Sequence, residues 1–328
     1  MVRNFEYSDR NASRATFSKD AICCPGGISQ STSRMASIIG ALASFYLGET
    51  FIQRTFSKMP VFKAQRFDIM LLEMSDSKLK LANAPIIEAI LDVDCDMPPG
   101  QQIASLEKAA RDAFRPEYSK FRTAFIQTRQ IETKTDQPPQ MSVQHAIQAF
   151  QFLSDDEKQI VQLRTQGFSF NRLSPYTSLD DYLPQIEKAW RLFISIASPV
   201  QIRSVRLRYI NRILLPLVKS EPVELSYYLK IGPRLPDAER FALVGFLDQQ
   251  AAVETGTGNR VNIILTGQPA ENDTAPIIFD IATESVIKAE PESWDLLLAQ
   301  IVSLRALKNH IFKNTLTEQC LNLFQKQP

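Results

Sequence analysis

The stretch SVRLRYINRILLP, residues 204–216, has the alternating pattern of a long β-strand. Successive side chains of a strand point to opposite faces of the sheet. One face of this strand would carry side chains suited to a core together with one asparagine: Val205, Leu207, Tyr209 and Asn211. The other face would carry three arginines and one isoleucine: Arg206, Arg208, Ile210 and Arg212. The segment therefore predicts a sheet with one apolar face and one charged face.

The bulk composition is that of an ordinary globular protein. The chain has 328 residues, of which 44% are hydrophobic and 22% are charged, and its formal net charge is only +1. A balance so close to zero creates no overall field that would attract nucleic acid or an anionic membrane. We expect no membrane partner, and nucleic acid binding would require a local basic patch.

The cysteines and histidines do not form a metal-binding pattern. The two histidines are His145 and His310, and the four cysteines are Cys23, Cys24, Cys95 and Cys320. Their spacing matches neither a zinc site nor a redox pair. We therefore expect no bound cofactor, and the few cysteines suit a reducing cytoplasm.

The first 74 residues differ in texture from the rest of the chain. They are rich in serine and small polar residues, and they contain one apolar run at 35–47 that is too short to span a bilayer. We expect residues 1–74 to form a poorly ordered extension or a short helix on the main domain. A second interpretation makes Met74 the natural start, with a non-native leader before it.

The remainder alternates runs of strands with long helices. Helical spacing of apolar residues predicts helices from Ile103 to Phe114, over 179–197 and over 292–313. After Pro85, apolar residues alternate with acidic ones up to Asp96, which predicts a first strand. Further strand patterns occur at 122–133, 143–153, 159–165, 167–173, 204–216, 223–231, 240–253, 260–266 and 277–283.

These elements predict an α+β fold: a largely antiparallel sheet covered on one face by two or three long helices. After Pro216 the order of elements nearly repeats, which suggests two similar β-meander and helix halves, 75–216 and 217–328, packed into one domain. The segments GFSFNRL (167–173) and RYINRIL (208–214) also echo each other, which is consistent with a duplication.

Four segments also carry a resemblance to a known family. They are LANAPIIEAILDVDCD (81–96), FQFLSDDEKQIVQLRTQGFSFNRLSPY (150–176), LRYINRILLP (207–216) and FKNTLTEQCLNLF (312–324). Together they resemble a sporadically distributed family of uncharacterised bacterial proteins, over residues 75–325. The resemblance implies a cytoplasmic bacterial protein and transfers no activity and no catalytic residue. Patchy distribution is associated with accessory and mobile-element proteins, including defence against phage.

An acidic stripe is the first candidate site. Asp92, Asp94 and Asp96 would project from one face of their strand, and clustered carboxylates hold Mg²⁺ in enzymes that act on nucleic acid or nucleotides. The alternative is a solvent-facing stripe near the end of a strand.

The arginines form the second candidate. Arg206, Arg208 and Arg212, with Arg203 nearby, would grip phosphates or carboxylates through their bidentate guanidinium groups. The alternative is pairing with acidic residues across the sheet, including the acidic stripe itself.

The third candidate lies on the apolar face. Tyr209 and Asn211, together with Trp190 from the helix over 179–197, would line a cavity for a small ligand if the helices stand off the sheet. The alternative is a buried asparagine that organises the core.

The residues favour three functions, which differ in how well the sequence supports them. A non-catalytic binding or interaction protein with a protein partner comes first. The alternatives are a metal-dependent enzyme that uses the acidic stripe, and a small-ligand binder beneath the helices.

Overall fold

The computed structural model describes residues 81–132, 140–217, 223–237, 240–241 and 243–325, with side chains for all of these except 129–132 and 140–142. All of them belong to one unit, Arg66–Pro328. The expectations for residues 1–74, including a start at Met74, lie outside the described residues.

In the described part of the chain, nine antiparallel strands form one sheet in the order β2-β3-β4-β5-β1-β6-β9-β8-β7. In chain order the strands are β1 (Ile86–Asp96), β2 (Lys120–Glu132), β3 (Gln140–Leu153), β4 (Gln159–Arg164), β5 (Gly167–Leu173), β6 (Gln201–Pro216), β7 (Leu247–Val253), β8 (Arg260–Gly267) and β9 (Thr274–Ala289). The opening segment is therefore the central strand β6, paired with β1 on one side and β9 on the other.

Five α-helices accompany the sheet among the residues that the structure describes. They are α1 (Glu107–Phe114), which follows a 3₁₀ turn at Ile103–Leu106, then α2 (Leu179–Ala197), α3 (Leu225–Tyr228), α4 (Trp294–Thr315) and α5 (Glu318–Asn322). Helix α2 begins at Ser178, whose side chain accepts a hydrogen bond from the amide of Asp180, and it ends at Ser198 in the left-handed region. The predicted α+β class with a largely antiparallel sheet is confirmed.

Apolar side chains from the strands and helices form two buried clusters. In the first, β1, β4, β5 and β6 pack with α1, α2 and the first half of α4; Trp190 of α2 stacks on Phe193 and meets Phe168 edge to face. In the second, the far ends of β6, β8 and β9 pack with the last turns of α4 and with α5, around Phe279 and Phe312. Alternate residues of β6 enter both clusters, as its pattern predicts.

The strand predicted at 223–231 is wrong. Residues Leu225–Tyr228 form helix α3, because the Glu224 side chain caps its first turn by accepting a hydrogen bond from the amide of Ser226. A short apolar run has no period long enough to separate helix from strand. The strand predicted at 240–253 is also shorter than expected, since β7 begins only at Leu247.

The order of elements nearly repeats on the two sides of the central β1/β6 pair. Strand β1 is followed by α1, the meander β2 to β5 and α2, whereas β6 is followed by α3, the meander β7 to β9 and α4. Strand β5 returns to pair with β1, and β9 returns to pair with β6, although the predicted boundary after Pro216 puts β6 in the first half. The echo between 167–173 and 208–214 joins β5 to β6, which do not correspond in this order. It is therefore no evidence for duplication, and the similarity of the halves stays a prediction.

Candidate binding surface

One row of charged residues crosses the centre of the sheet. Direct cross-strand partners place Asp92 beside Arg206, Arg206 beside Glu284, and Glu284 beside Arg260. We call these four residues, from β1, β6, β9 and β8, the charged row. Ser169 of β5 adjoins its first member. The signs alternate along the row, and opposite charges on neighbouring strands attract each other and help to set the register.

Asp92 is held by contacts from three directions. The Ser169 hydroxyl donates to one carboxylate oxygen, and Nε of Arg206 lies 3.2 Å from the other. Arg164 of β4 lies 3.9 Å away and donates to Asp94 at 2.7 Å. Burial alone would raise the pKa of Asp92, but the two guanidinium groups and the hydroxyl outweigh it and lower the pKa. This carboxylate is therefore held in its charged form.

Arg206 keeps donors available. Burial works to lower the pKa of Arg206, but the carboxylates of Asp92, Asp94 and Glu284 raise it. Only its Nε donates to Asp92, and within the described ranges the two terminal amino groups have no hydrogen-bond acceptor. The side chain is 26% exposed, and that of Arg260 at the end of the row is 62% exposed.

The other two predicted arginines each have a carboxylate of their own. Arg208 contacts Asp280 of β9 through a bidentate pair in which Nε lies 2.9 Å and 3.0 Å from the two oxygens. Arg212 binds Glu271 at 2.5 Å near the end of the strand. Asp280 is buried, so the first of these pairs is a largely desolvated ion pair.

A chain of side-chain amides runs from β3 to Glu88 of β1. Gln151 donates to Gln162 at 3.0 Å, Gln162 to Asn171 at 3.0 Å, and Asn171 to Glu88 at 2.8 Å. Burial raises the pKa of Glu88, although the Asn171 bond and the nearby Arg208 oppose that rise. These amides connect four strands through side chains on the charged face.

The acidic stripe keeps to one face of β1, as predicted, but it meets arginines. The register shift after Asp94 places its extra residue, Arg203, on β6, and Asp96 pairs with Arg203 at 3.3 Å. Asp92 and Asp94 face arginines instead of a further acid. Among the residues with described side chains, no group of three or more potential metal ligands converges. The geometry therefore gives the metal-dependent enzyme no support.

The residues of the third candidate lie inside the core. Trp190 donates its ring N–H to the carbonyl of Pro291 at 3.0 Å, and Asn211 donates to the carbonyl of Phe279 at 2.9 Å. The hydroxyl of Tyr209 lies 2.8 Å from that of Tyr176. The cavity beside Tyr209 measures about 10 Å³, and Trp190 and Asn211 do not line it. That volume is about the smallest that holds one water molecule, so the small-ligand function gains no support.

A buried lysine lies over the ring of Tyr209. Lys308 of α4 places its ammonium group 3.9 Å from the centre of the Tyr209 ring. Burial lowers the pKa of Lys308 to about 7, and Arg305 on the same helix adds to the effect. The sequence pattern contains this signal, because Lys308 follows Leu304 at the helical spacing of the apolar stripe.

Two of the four residues of the charged row, Glu284 and Arg260, were not candidates from the sequence, and neither were Arg164 and Ser169 beside it. Arg164, Ser169 and Arg260 lie within predicted strands and occupy the polar phase of each. Glu284 lies one residue beyond the strand predicted at 277–283, because β9 extends to Ala289. The alternation of each strand shows which face of the sheet these residues occupy. It does not show their partners across the sheet; Arg164 and Asp94, for example, are 70 residues apart in the chain.

Two comparisons with known proteins were made for this chain, and neither found a match. The first is a scan against protein-family models, and the second is a search among curated proteins. Within the described ranges, no helix has the length and apolar character needed to cross a membrane.

Proposed function

We propose that this chain is a non-catalytic binding protein that recognises a protein partner through the charged row. In this proposal the long helices α2 and α4 cover one face of the sheet, and the opposite face is the recognition surface. Val205 and Leu207 are buried in the cluster that contains both helices, whereas Arg206, which lies between them in sequence, is partly exposed. This difference supports the division into a covered face and an open face.

The fixed position of Arg206 is the observation that carries the proposal. Asp92 holds its Nε, and Ser169 and Arg164 hold Asp92 in turn. An arginine that is already oriented loses little side-chain entropy when its two terminal amino groups bind a carboxylate. The exposed Arg260 supplies a second cation from β8, with β9 lying between the two strands.

The partner should present isolated carboxylates in place of a continuous polyanion. The charged row alternates in sign, so a chain of phosphates lying along it would meet Asp92 and Glu284 as well as the arginines. The net charge of +1 adds no long-range attraction for nucleic acid. An acidic segment of a protein, with its charges spaced to meet Arg206 and Arg260, fits the row better.

The biological setting comes from the resemblance alone. It places this binding function in an accessory protein of the bacterial cytoplasm, with phage defence as one such role.

Affinity capture with matched variants tests the proposal. The full chain is used as bait in a bacterial lysate, and bound proteins are quantified by mass spectrometry. Arg206→Gln should lower recovery of the specific partner about tenfold or more, because a hydrogen bond between charged groups contributes about 1.5–3 kcal/mol. Arg260→Gln should lower it by less, since that side chain is largely exposed.

Arg191→Gln is the matched control. Arg191 is also 62% exposed and also pairs with a glutamate, but it lies on α2. Recovery should be unchanged for this variant. Equal recovery with all three variants, each shown to be folded by circular dichroism, would remove the charged row from the function.

A further inference from the structure

The two edges of the nine-stranded sheet differ in how they are protected. The β2 edge carries Lys120 and Arg122, both paired with Glu157 of the loop before β4. The β7 edge has the sequence LDQQAAV, with one charged residue, and all of its side chains but Asp248 are exposed. Natural proteins usually block an open edge with charges, proline or a bulge. Among the described residues, β7 has no proline and no bulge, and its single charge is Asp248.

The hydrogen-bond pattern shows which backbone groups of β7 point away from the sheet. The amide of Glu254 donates to Asn259 at 2.8 Å, and the amide of Gly267 donates to Phe246 at 3.1 Å. Both ends of the β7/β8 ladder therefore place even-numbered residues of β7 in the pairs that bond to β8. Antiparallel ladders alternate. The outward N–H and C=O groups consequently belong to the odd-numbered residues: Leu247, Gln249, Ala251 and Val253.

We propose that β7 pairs antiparallel with β7 of a second copy of this chain, about a two-fold axis at Gln250. In this register Leu247 faces Val253 of the second copy, and Gln249 faces Ala251 of the second copy. Every outward N–H of one strand then meets an outward C=O of the other. Gln250 faces its own counterpart in a pair without backbone hydrogen bonds, where the two side chains approach closely.

The side chains of β7 are self-complementary in this register. Leu247 and Val253 lie on one face of β7 and are 58% and 56% exposed, so each would cover the other across the interface. The only charged side chain, Asp248, would face Ala252 of the second copy, and no like charges would meet. An unrelated strand would have to match these features by chance, whereas a second copy matches them by symmetry.

Ala251→Pro tests the pairing without breaking the fold. The amide of Ala251 points outward, so proline removes a donor to the second copy and leaves the bonds between β7 and β8 in place. By light scattering after gel filtration, we expect the unmodified chain to shift from monomer to dimer as its concentration rises. Ala251→Pro should stay monomeric at every concentration, and Ala251→Val should dimerise like the unmodified chain. An unmodified chain that is monomeric at the highest concentration, or a dimer unaffected by proline, would overturn the proposal.

Cysteine cross-linking tests the register independently. In a background with Cys23→Ser and Cys24→Ser, Gln250→Cys should form a disulfide-linked dimer on mild oxidation, because its counterpart lies directly opposite. Asp248→Cys should not, because it faces Ala252 of the second copy. Combining Asp248→Cys with Ala252→Cys should restore the cross-link. Absence of the Gln250→Cys dimer, or equal cross-linking by Asp248→Cys alone, would overturn this register.

Discussion

Replacing Lys308 with methionine should stabilise the protein at neutral pH. The lysine lies on the buried side of α4, among residues that contact the sheet. The charged group that acts on it is Arg305 of its own helix, and the neutral ring of Tyr209 lies against it on the strand beneath. Methionine has a similar length and no charge, so it would fill the same space without a desolvation penalty.

The magnitude follows from the pKa of the lysine. Burial lowers the pKa of Lys308 from 10.5 to about 7. Between these values the unfolded chain holds a proton that the folded chain does not, so the free energy of unfolding increases as pH rises, by about 1.4 kcal/mol per pH unit. The full difference is about 5 kcal/mol, and the contact of the ammonium with Tyr209 opposes it by about 2 kcal/mol. We expect Lys308→Met to add about 2–4 kcal/mol at pH 7 and little at pH 10.5.

Urea unfolding at several values between pH 7 and pH 10.5 measures this difference. Other groups also titrate in this range: burial raises the pKa of Cys95 and of Cys320 to about 12 each, which lowers the stability of both proteins as pH rises. Subtracting the two curves cancels these shared contributions. Lys188→Met, on the exposed face of α2, is the control and should leave the pH dependence unchanged. Parallel curves for the unmodified chain and Lys308→Met would refute the reasoning.

Three further predictions concern the sheet. Asp280→Ala leaves the Arg208 guanidinium without its buried carboxylate and should lower the free energy of unfolding by about 3–5 kcal/mol, whereas Arg208→Met with Asp280→Leu should recover most of the loss in the same urea experiment. Gly167→Ala should lower the free energy of unfolding by about 3 kcal/mol or more, because its Cβ would lie 2.1 Å from the carbonyl oxygen of Val93. Gly232 has an equally unusual φ, but open space surrounds it. A comparable loss of stability in Gly232→Ala would therefore contradict the steric explanation. Adding Mg²⁺ should not change the melting temperature, because arginines already neutralise the carboxylates of the acidic stripe. A saturable rise in melting temperature would instead indicate a metal site.

The sequence predicted most elements because their local patterns were unambiguous. The bounds expected for β5 and α2, 167–173 and 179–197, agree with the structure. A capping serine and a long apolar stripe define α2, and Gly167 marks the start of β5 in a turn that has no room for a side chain. The prediction failed at 223–231, where the apolar run was too short for its period to be read.

The candidate surface was predictable only in part. Alternation along β6 placed Arg206 opposite Leu207, and pairing with the acidic stripe was one of the two interpretations of the arginines. The interpretation of Trp190 and Tyr209 depended on whether the helices stand off the sheet, which no local pattern reports. The structure places both side chains in the core.

The sequence by itself determined the strands, the long helices and the polar phase of each strand, because alternation and helical spacing arise between residues that are close in the chain. Only the tertiary structure decided that Arg206 meets Asp92, that Asp94 and Asp96 pair with Arg164 and Arg203, and that β7 forms an edge. These features depend on strand order and register. Strand order and register are chosen by the packing of the whole sheet, in which segments more than a hundred residues apart become neighbours.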